Sequence, residues 1–233
     1  EVAGFEYLLD NYGSDAVSRQ QIFQPAIDTA NNGYVVGVTF KEELDSEYTG
    51  IAANETLSNI YLDESGLPYE VGDVIKNPDL AKTLQLIADG GKDAFYTGDM
   101  AQAMVDAVAA WGGNMTMEDL ANYEVKVREP VVGHYKDYTI YSLPPASSGG
   151  THLVEILNIL ENYDDMDKIG VNSAEYVHRF SEAFKIAFAD RAQYMADTDF
   201  ADVPLAQLTS KDYAAERYSE ITDKSGSYVA VEP

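Results

Sequence analysis

The sequence predicts an α+β fold, and three observations carry that prediction. The first half is a series of segments with apolar residues at helical spacing, bounded by capping residues and glycines. Between residues 123 and 143 the apolar period shortens to that of strands. Beyond a Pro/Ser/Gly turn at 144–150 the long helical period returns.

In chain order, residues 6–12 read as a short helix stopped by Gly13. Residues 18–31 continue with Ile22, Phe23, Ala26, Ile27 and Ala30 on a helical face and end at Gly33. Asn77-Pro78 opens another helix, with Asn as N-cap and Pro in the first turn. Leu80, Leu84 and Ile87 form its face, and Gly90-Gly91 is expected to close it. Residues 98–111 form an amphipathic helix ended by Gly112-Gly113, with Trp111 expected as a core anchor. Thr116, with Asp119 three residues on, starts a short helix. Strands are expected over 123–127, 131–135 and 138–143.

The helix after residue 150 is apolar on most sides, with Glu155, Asn158 and Asn162 as one polar stripe, which predicts deep burial. Ser173 caps a further helix whose face is Val177, Phe180, Phe184, Ala187 and Phe188. Residues 222–233 are turn-rich and expected to form a loose tail.

Composition bounds the function. The chain has 233 residues, 45% of them hydrophobic, enough for a real core. Against 15 Lys and Arg stand 40 Asp and Glu, a net charge of −25, which disfavours nucleic acid and anionic membranes as partners. No run approaches membrane-spanning length, so no membrane insertion is expected. The chain has no cysteine, which removes disulfides, thiol nucleophiles and cysteine-based metal sites.

The candidate site is the turn Pro144-Pro145-Ala146-Ser147-Ser148-Gly149-Gly150. Two prolines end the strand, and two serines and two glycines gather hydroxyls and backbone N–H groups at a helix start. Such an elbow either faces a ligand, since helix N-termini favour negative charge, or is a tight buried turn that brings helix and sheet together. A serine nucleophile needs a base, and His134, His152 and His178 are the only histidines, but Ser-Ser-Gly-Gly is not the nucleophile elbow of hydrolases. Thr151 as an N-terminal nucleophile would require a cut before it; the chain runs unbroken there, and Thr151 reads as part of the first helical turn. Asp197 and Asp199 as a cation pair, and Asp63-Glu64-Ser65-Gly66 as a calcium loop, lack the spacing of a metal site, so no metal is expected. Asp190-Arg191 reads as a structural clamp between layers.

The elbow and the run Leu153-Val154-Glu155-Ile156-Leu157-Asn158-Ile159-Leu160-Glu161 resemble the large subunit of γ-glutamyltransferases (γ-glutamyltranspeptidases). So do Leu80-Ala81-Lys82-Thr83-Leu84, Phe95-Tyr96-Thr97-Gly98, Asp119-Leu120-Ala121-Asn122-Tyr123, Arg128-Glu129-Pro130-Val131, Ala187-Phe188-Ala189-Asp190-Arg191, Tyr194, and Asp197-Thr198-Asp199-Phe200. The resemblance runs in order over nearly the whole chain. It implies the αββα sandwich of N-terminal-nucleophile amidohydrolases, of which this chain supplies the helix-rich large-subunit part. On that basis residues 1–233 are one fragment of a single two-chain domain. The opening, Glu1-Val2-Ala3 without Met, aligns to the interior of the large subunit, so a fragment is expected.

The resemblance further implies a precursor that cuts itself, with the catalytic Thr opening a small subunit. The enzyme would transfer or hydrolyse γ-glutamyl amides such as glutathione, with an amino acid or peptide as acceptor and no cofactor. It implies an exported protein, periplasmic, secreted or at the cell surface. No catalytic residue is expected in this chain. None of Arg19, Arg128, Arg179, Arg191 or Arg217 matches the context of the family's carboxylate-binding arginine. Ser147, Ser148, Gly149 and Gly150 remain the candidates to line the cleft or the subunit interface. Related enzymes acting on poly-γ-glutamate or β-lactam side chains, and a non-catalytic scaffold module, are the alternatives.

Overall fold

The computed structural model describes residues 1–14 and 16–233. The chain divides into two compact units, Glu1–Lys126 and Val127–Pro233. No helix among the described residues is long and apolar enough to cross a membrane.

The first unit is mainly helical. Helix α1 (Val2–Tyr12) stops at Gly13, whose N–H donates to the Leu9 carbonyl at 3.0 Å. A Cβ at Gly13 would stand 2.3 Å from the Leu9 oxygen, so only glycine closes the helix this way. Helix α2 (Arg19–Asn32) starts from a capping box in which Ser18 and Gln21 satisfy each other's backbone N–H, and it ends at Gly33 with φ 95°. Of its expected apolar face, Ile27 and Ala30 are buried, whereas Ile22 is 50% exposed. Ile27 and Ala30 meet Ala81 and Ala88 of helix α6 (Pro78–Tyr96) in a small core flanked by Phe23 and Leu84.

Strands β1 (Tyr34–Val35) and β2 (Val74–Ile75) pair antiparallel. Between them lie three short helices absent from the sequence reading: α3 (Val38–Ser46), α4 (Tyr48–Ala52) and α5 (Glu55–Tyr61). Neither α3 nor α4 has a side-chain cap at its start, so the usual start signal is missing. They are held instead by the cluster of Val36, Leu44, Ile51, Leu62 and Ile75.

Asn77 caps α6 as expected, its Oδ1 accepting from the Leu80 N–H at 2.9 Å. Gly90-Gly91 closes the first helical segment as expected: Gly91, at φ 64° and ψ −156°, is not helical, and a second helical segment follows it to Tyr96. This break passes beside the Arg19–Glu6 ion pair, and a Cβ on Gly91 would reach the Glu6 carboxylate at 3.0 Å.

Helix α7 (Gly98–Ala110) and helix α8 (Met117–Ala121), the latter with the Thr116/Asp119 capping box, lie where the sequence places them. Trp111 is not a core anchor: it is 81% exposed, at the position after the last turn of α7. The expected strand over 123–127 is irregular and unpaired, and Tyr123 stacks on Tyr96 at 5.1 Å instead.

In the second unit, β3 (Val131–Tyr135) and β4 (Tyr138–Ser142) form an antiparallel hairpin, registered from Val131 opposite Ser142 to Tyr135 opposite Tyr138. The two-residue turn places Lys136 at φ 50°. Helix α9 (Gly149–Leu160) follows, then α10 (Ala174–Tyr194), α11 (Leu205–Leu208) and α12 (Lys211–Tyr218). Ile156, Ile159 and Leu160 of α9 pack with Ala183, Ile186 and Ala187 of α10 and Ala214 of α12. The hairpin lies so close to α9 that a Cβ on Gly133 would stand 2.4 Å from a Val154 methyl.

Helix α10 buries only part of its expected face, Ala187 in the core with Phe180 packed against it. Val177, Phe184 and Phe188 are 50%, 45% and 55% exposed, while Arg179, Glu182 and Asp190 are buried. Burial of these charges is compensated by partners. Glu182 accepts from the Tyr228 hydroxyl at 2.6 Å and the Gly226 N–H at 2.9 Å, and Arg179 reaches Asp165 at 2.6 Å and also pairs with Glu175. Residues 222–233 carry no helix or strand. They are tied down by these contacts and by the Val229 and Val231 carbonyls, which accept from Arg217 and from the Tyr194 hydroxyl.

Candidate functional site

Strand β4 delivers the chain to the elbow, and α9 carries it away. The Ser147 N–H donates to the Pro144 carbonyl at 3.1 Å and closes a turn, within which the Pro145–Ala146 peptide bond is cis. The Gly149 N–H donates to the Ser147 hydroxyl at 3.3 Å. Ser148 stands at the N-cap of α9, but its hydroxyl does not cap the helix. It accepts from Arg191 Nε at 3.0 Å, and that guanidinium lies 5.8 Å from the centroid of the Phe188 ring. The last turn of α10 thus grips the start of α9.

The two glycines differ. Gly150 is buried, and a Cβ there would meet the Leu143 carbonyl oxygen at 2.2 Å, a distance no repacking of side chains relieves. Gly149 is exposed, and a Cβ there would meet only the Ser147 hydroxyl, at an ordinary 3.5 Å. Ser147 and Ser148 are half-buried. Within this chain the close approach of helix to strand therefore falls on Gly150, while Gly149 and the serines present the elbow's accessible side.

The nucleophile alternatives find no support in the geometry. Ser148 is bonded to Arg191, and Ser147 to a backbone N–H. The His152 Nδ1 is 2.6 Å from Glu155, His178 Nε2 is 2.7 Å from the Thr222 carbonyl, and His134 Nδ1 is 3.4 Å from Thr139. Thr151 lies in the first turn of α9, fully buried. Asp197 and Asp199 are compensated by Arg128 at 3.3 and 2.8 Å, and the Asp63 carboxylate folds onto the backbone of its own turn. Among the described residues no cluster of His, Asp or Glu could hold a metal ion.

Beneath the elbow lies a buried polar cluster that the sequence reading did not assemble. Glu155 and Asp190 are each 0% exposed. His152 faces Glu155, while the Tyr213 hydroxyl donates to Asp190 Oδ2 at 2.8 Å and Arg217 Nε lies 3.6 Å from the same oxygen. Burial holds the His152 imidazole down to about 4, so it is neutral and its contact with Glu155 is a hydrogen bond rather than an ion pair. Burial raises both carboxyls to about 7, with their mutual contact raising Asp190 further and Arg217 opposing the shift at both. The expected Asp190–Arg191 clamp is thus divided: Asp190 ties α10 to α12, and Arg191 ties α10 to the elbow. The available sequence signal was His152 and Glu155, three residues apart in an otherwise apolar helix.

The chain has the helix-rich α+β fold of the large-subunit part of N-terminal-nucleophile amidohydrolases, as its likeness to solved γ-glutamyltranspeptidases shows. The γ-glutamyltranspeptidase family matches residues 1–231, and the chain belongs to that family. It is 41% identical over 213 residues to the glutathione hydrolase proenzyme of Escherichia coli (strain K12), covering 91% of this chain and 36% of that protein. It is 42% identical over 197 residues to the acylase ACY 1 proenzyme of Pseudomonas sp. (strain SE83), covering 84% of this chain and 35% of that protein. The crystal structure of Helicobacter pylori γ-glutamyltranspeptidase superposes with a TM-score of 0.90 at 38% identity, over 97% of this chain and 64% of that one. The chain spans little more than a third of the length of these two curated relatives.

Proposed function

We propose that this chain is the large-subunit part of a two-subunit γ-glutamyl transferase or hydrolase. The observation that carries the reading is the family match over residues 1–231 together with the relatives named glutathione hydrolase proenzymes. In this reading the nucleophile is a Thr at the start of a small subunit cut from the same precursor. It attacks the γ-glutamyl amide and forms an acyl-enzyme, which passes the glutamyl group to water or to an amino acid or peptide. No step needs a metal or organic cofactor. The enzyme works outside the cytoplasm, a point that rests on the family resemblance alone.

The chain's part is positional. At the elbow Ser148 is held by Arg191, and His152 faces Glu155. Ser147, Ser148 and Gly149 form the accessible rim of the elbow and are its candidates to meet the cleft or the small subunit; Gly150 fixes the elbow from below.

The test is the intact mass, under denaturing conditions, of everything that co-purifies with the full-length gene product, paired with hydrolysis of a γ-glutamyl anilide. A second polypeptide beginning with Thr, and release of the anilide, are expected. A single uncleaved species without activity would reduce the chain to a scaffold. The acylase relative, as similar in identity as the glutathione hydrolase, favours one second reading: an amidohydrolase for another acyl group. Turnover of a cephalosporin side-chain amide in preference to the γ-glutamyl anilide would establish it.

A further inference from the structure

The β3–β4 hairpin is apolar on both faces. Toward α9 it buries Val131 and packs Gly133 against Val154. On the opposite face Val132 and Tyr141 are cross-strand partners, 47% and 71% exposed, and Leu143 continues their row at 67%. An antiparallel sheet with one face in water alternates apolar and polar residues. Here the outer face turns polar only toward the tip, where His134 pairs with Thr139. The half nearest the elbow has the composition of a face between two layers, and a two-stranded ribbon gains stability only from such packing.

A groove of about 500 Å³ lies on this half, walled by Arg128, Pro130, Tyr141, Leu143 and Pro144. Arg128 joins the groove to the turn at 197–201. Its guanidinium donates to the Thr198 hydroxyl at 3.0 Å and to the carboxylates of Asp197 and Asp199 at 3.3 and 2.8 Å. Within the turn the Asp199 N–H donates to the Asp197 carboxylate, and the Phe200 and Ala201 N–H groups donate to the Asp197 carbonyl, each at 3.0 Å. On this pinned turn Phe200 is 89% exposed. Single exposed apolar side chains are ordinary. An aromatic ring on a locked turn beside an apolar groove is different, because docking it orders little that is not already ordered.

The relatives contain chain enough to cover the patch. The sequence matches 36% of the Escherichia coli proenzyme and 64% of the Helicobacter pylori chain on which 97% of it superposes. Charge disfavours a second copy as the cover. Each copy brings a net −25, and the exposed Glu129 and Asp202 lie close to Pro130 and Phe200 in the chain.

We propose that the outer hairpin face and the Phe200 turn form one docking surface, and that its occupant is the remainder of the same precursor, presenting an apolar face with a basic rim. Phe200 is the anchor. Val132, Tyr141 and Leu143 are covered with it, and the cover stops short of the polar tip. The proposal rests on the reading that this chain is one part of a longer precursor, and it carries the contact beyond the elbow rim.

The experiment is carbene footprinting of the native full-length gene product, read by peptide mass spectrometry. Phe200 and Tyr141 are expected to label at least about tenfold less than in the urea-unfolded protein, and equally so at two concentrations about 100-fold apart. Native labelling close to the unfolded level overturns the proposal. Protection that fades on dilution assigns the face to a second copy and overturns it as well. Phe200→Ala is expected to lower Tm by on the order of 3 °C and to raise the labelling of Tyr141. A variant with the parent's Tm and labelling overturns the anchor; if the variant does not fold, the parent's labelling decides. Labelling is read whether or not the precursor is cut, so a single uncleaved, inactive species would remove the proposed activity and leave this surface to its own result.

Discussion

At the scale of single residues, the two adjacent glycines of the elbow make opposite demands. Gly150→Ala drives a methyl into the Leu143 carbonyl 2.2 Å away, and the helix must move off the strand. A loss of about 1–3 kcal/mol or more is expected, read as a lowered urea midpoint with an unchanged slope. Gly149→Ala meets nothing closer than 3.5 Å, and its stability should lie within about 0.5 kcal/mol of the parent. If Gly149→Ala keeps its stability but impairs maturation or turnover, the accessible rim faces the cleft or the small subunit. If it changes neither, the rim is bystander surface. Sequence pattern alone placed Ser147, Ser148, Gly149 and Gly150 at the candidate site but could not rank them. The ranking depends on which Cβ vector points at strand β4, and that is set by the tertiary approach of α9.

At the scale of elements, caps were the dependable sequence signal. Ser18, Asn77, Thr116 and Ser173 each accept a backbone N–H at the helix starts the sequence assigns them. Thr116→Ala removes one capping box and should cost about 1 kcal/mol, measurable as a Tm shift in the full-length protein. The hairpin was equally legible, because Lys136-Asp137 sits between two alternating runs. Residues 123–127 alternate as well but have no partner strand, and alternation without a neighbour does not make a ladder. On α10 the apolar stripe is legible, but only part of it is buried: Ala187 lies in the core and Phe180 packs against it, whereas Val177, Phe184 and Phe188 are largely exposed. Its charged residues have partners distant in sequence, such as Tyr228 for Glu182 and Tyr213 for Asp190, which no local period encodes. The glycine pair ends a helical segment as its sequence reads, with Gly91 at positive φ beside the Glu6–Arg19 pair; what no local signal marks is the second helical segment that follows it to Tyr96.

At the scale of the whole molecule, the net charge of −25 acts on everything at once. Self-repulsion of that size opposes compaction and is screened by salt. Raising sodium chloride from about 0.02 M to about 0.5 M should therefore raise Tm, and a flat or falling profile would show that paired contacts such as Arg128 with Asp197 and Asp199 outweigh the repulsion. The stretch 123–130 carries no regular hydrogen-bond ladder and contains the division between the two compact units. Extra residues added there would break no helix or strand and open no core. A short insertion before Arg128, which keeps its pairing with Asp197 and Asp199, is therefore expected to leave Tm near that of the parent.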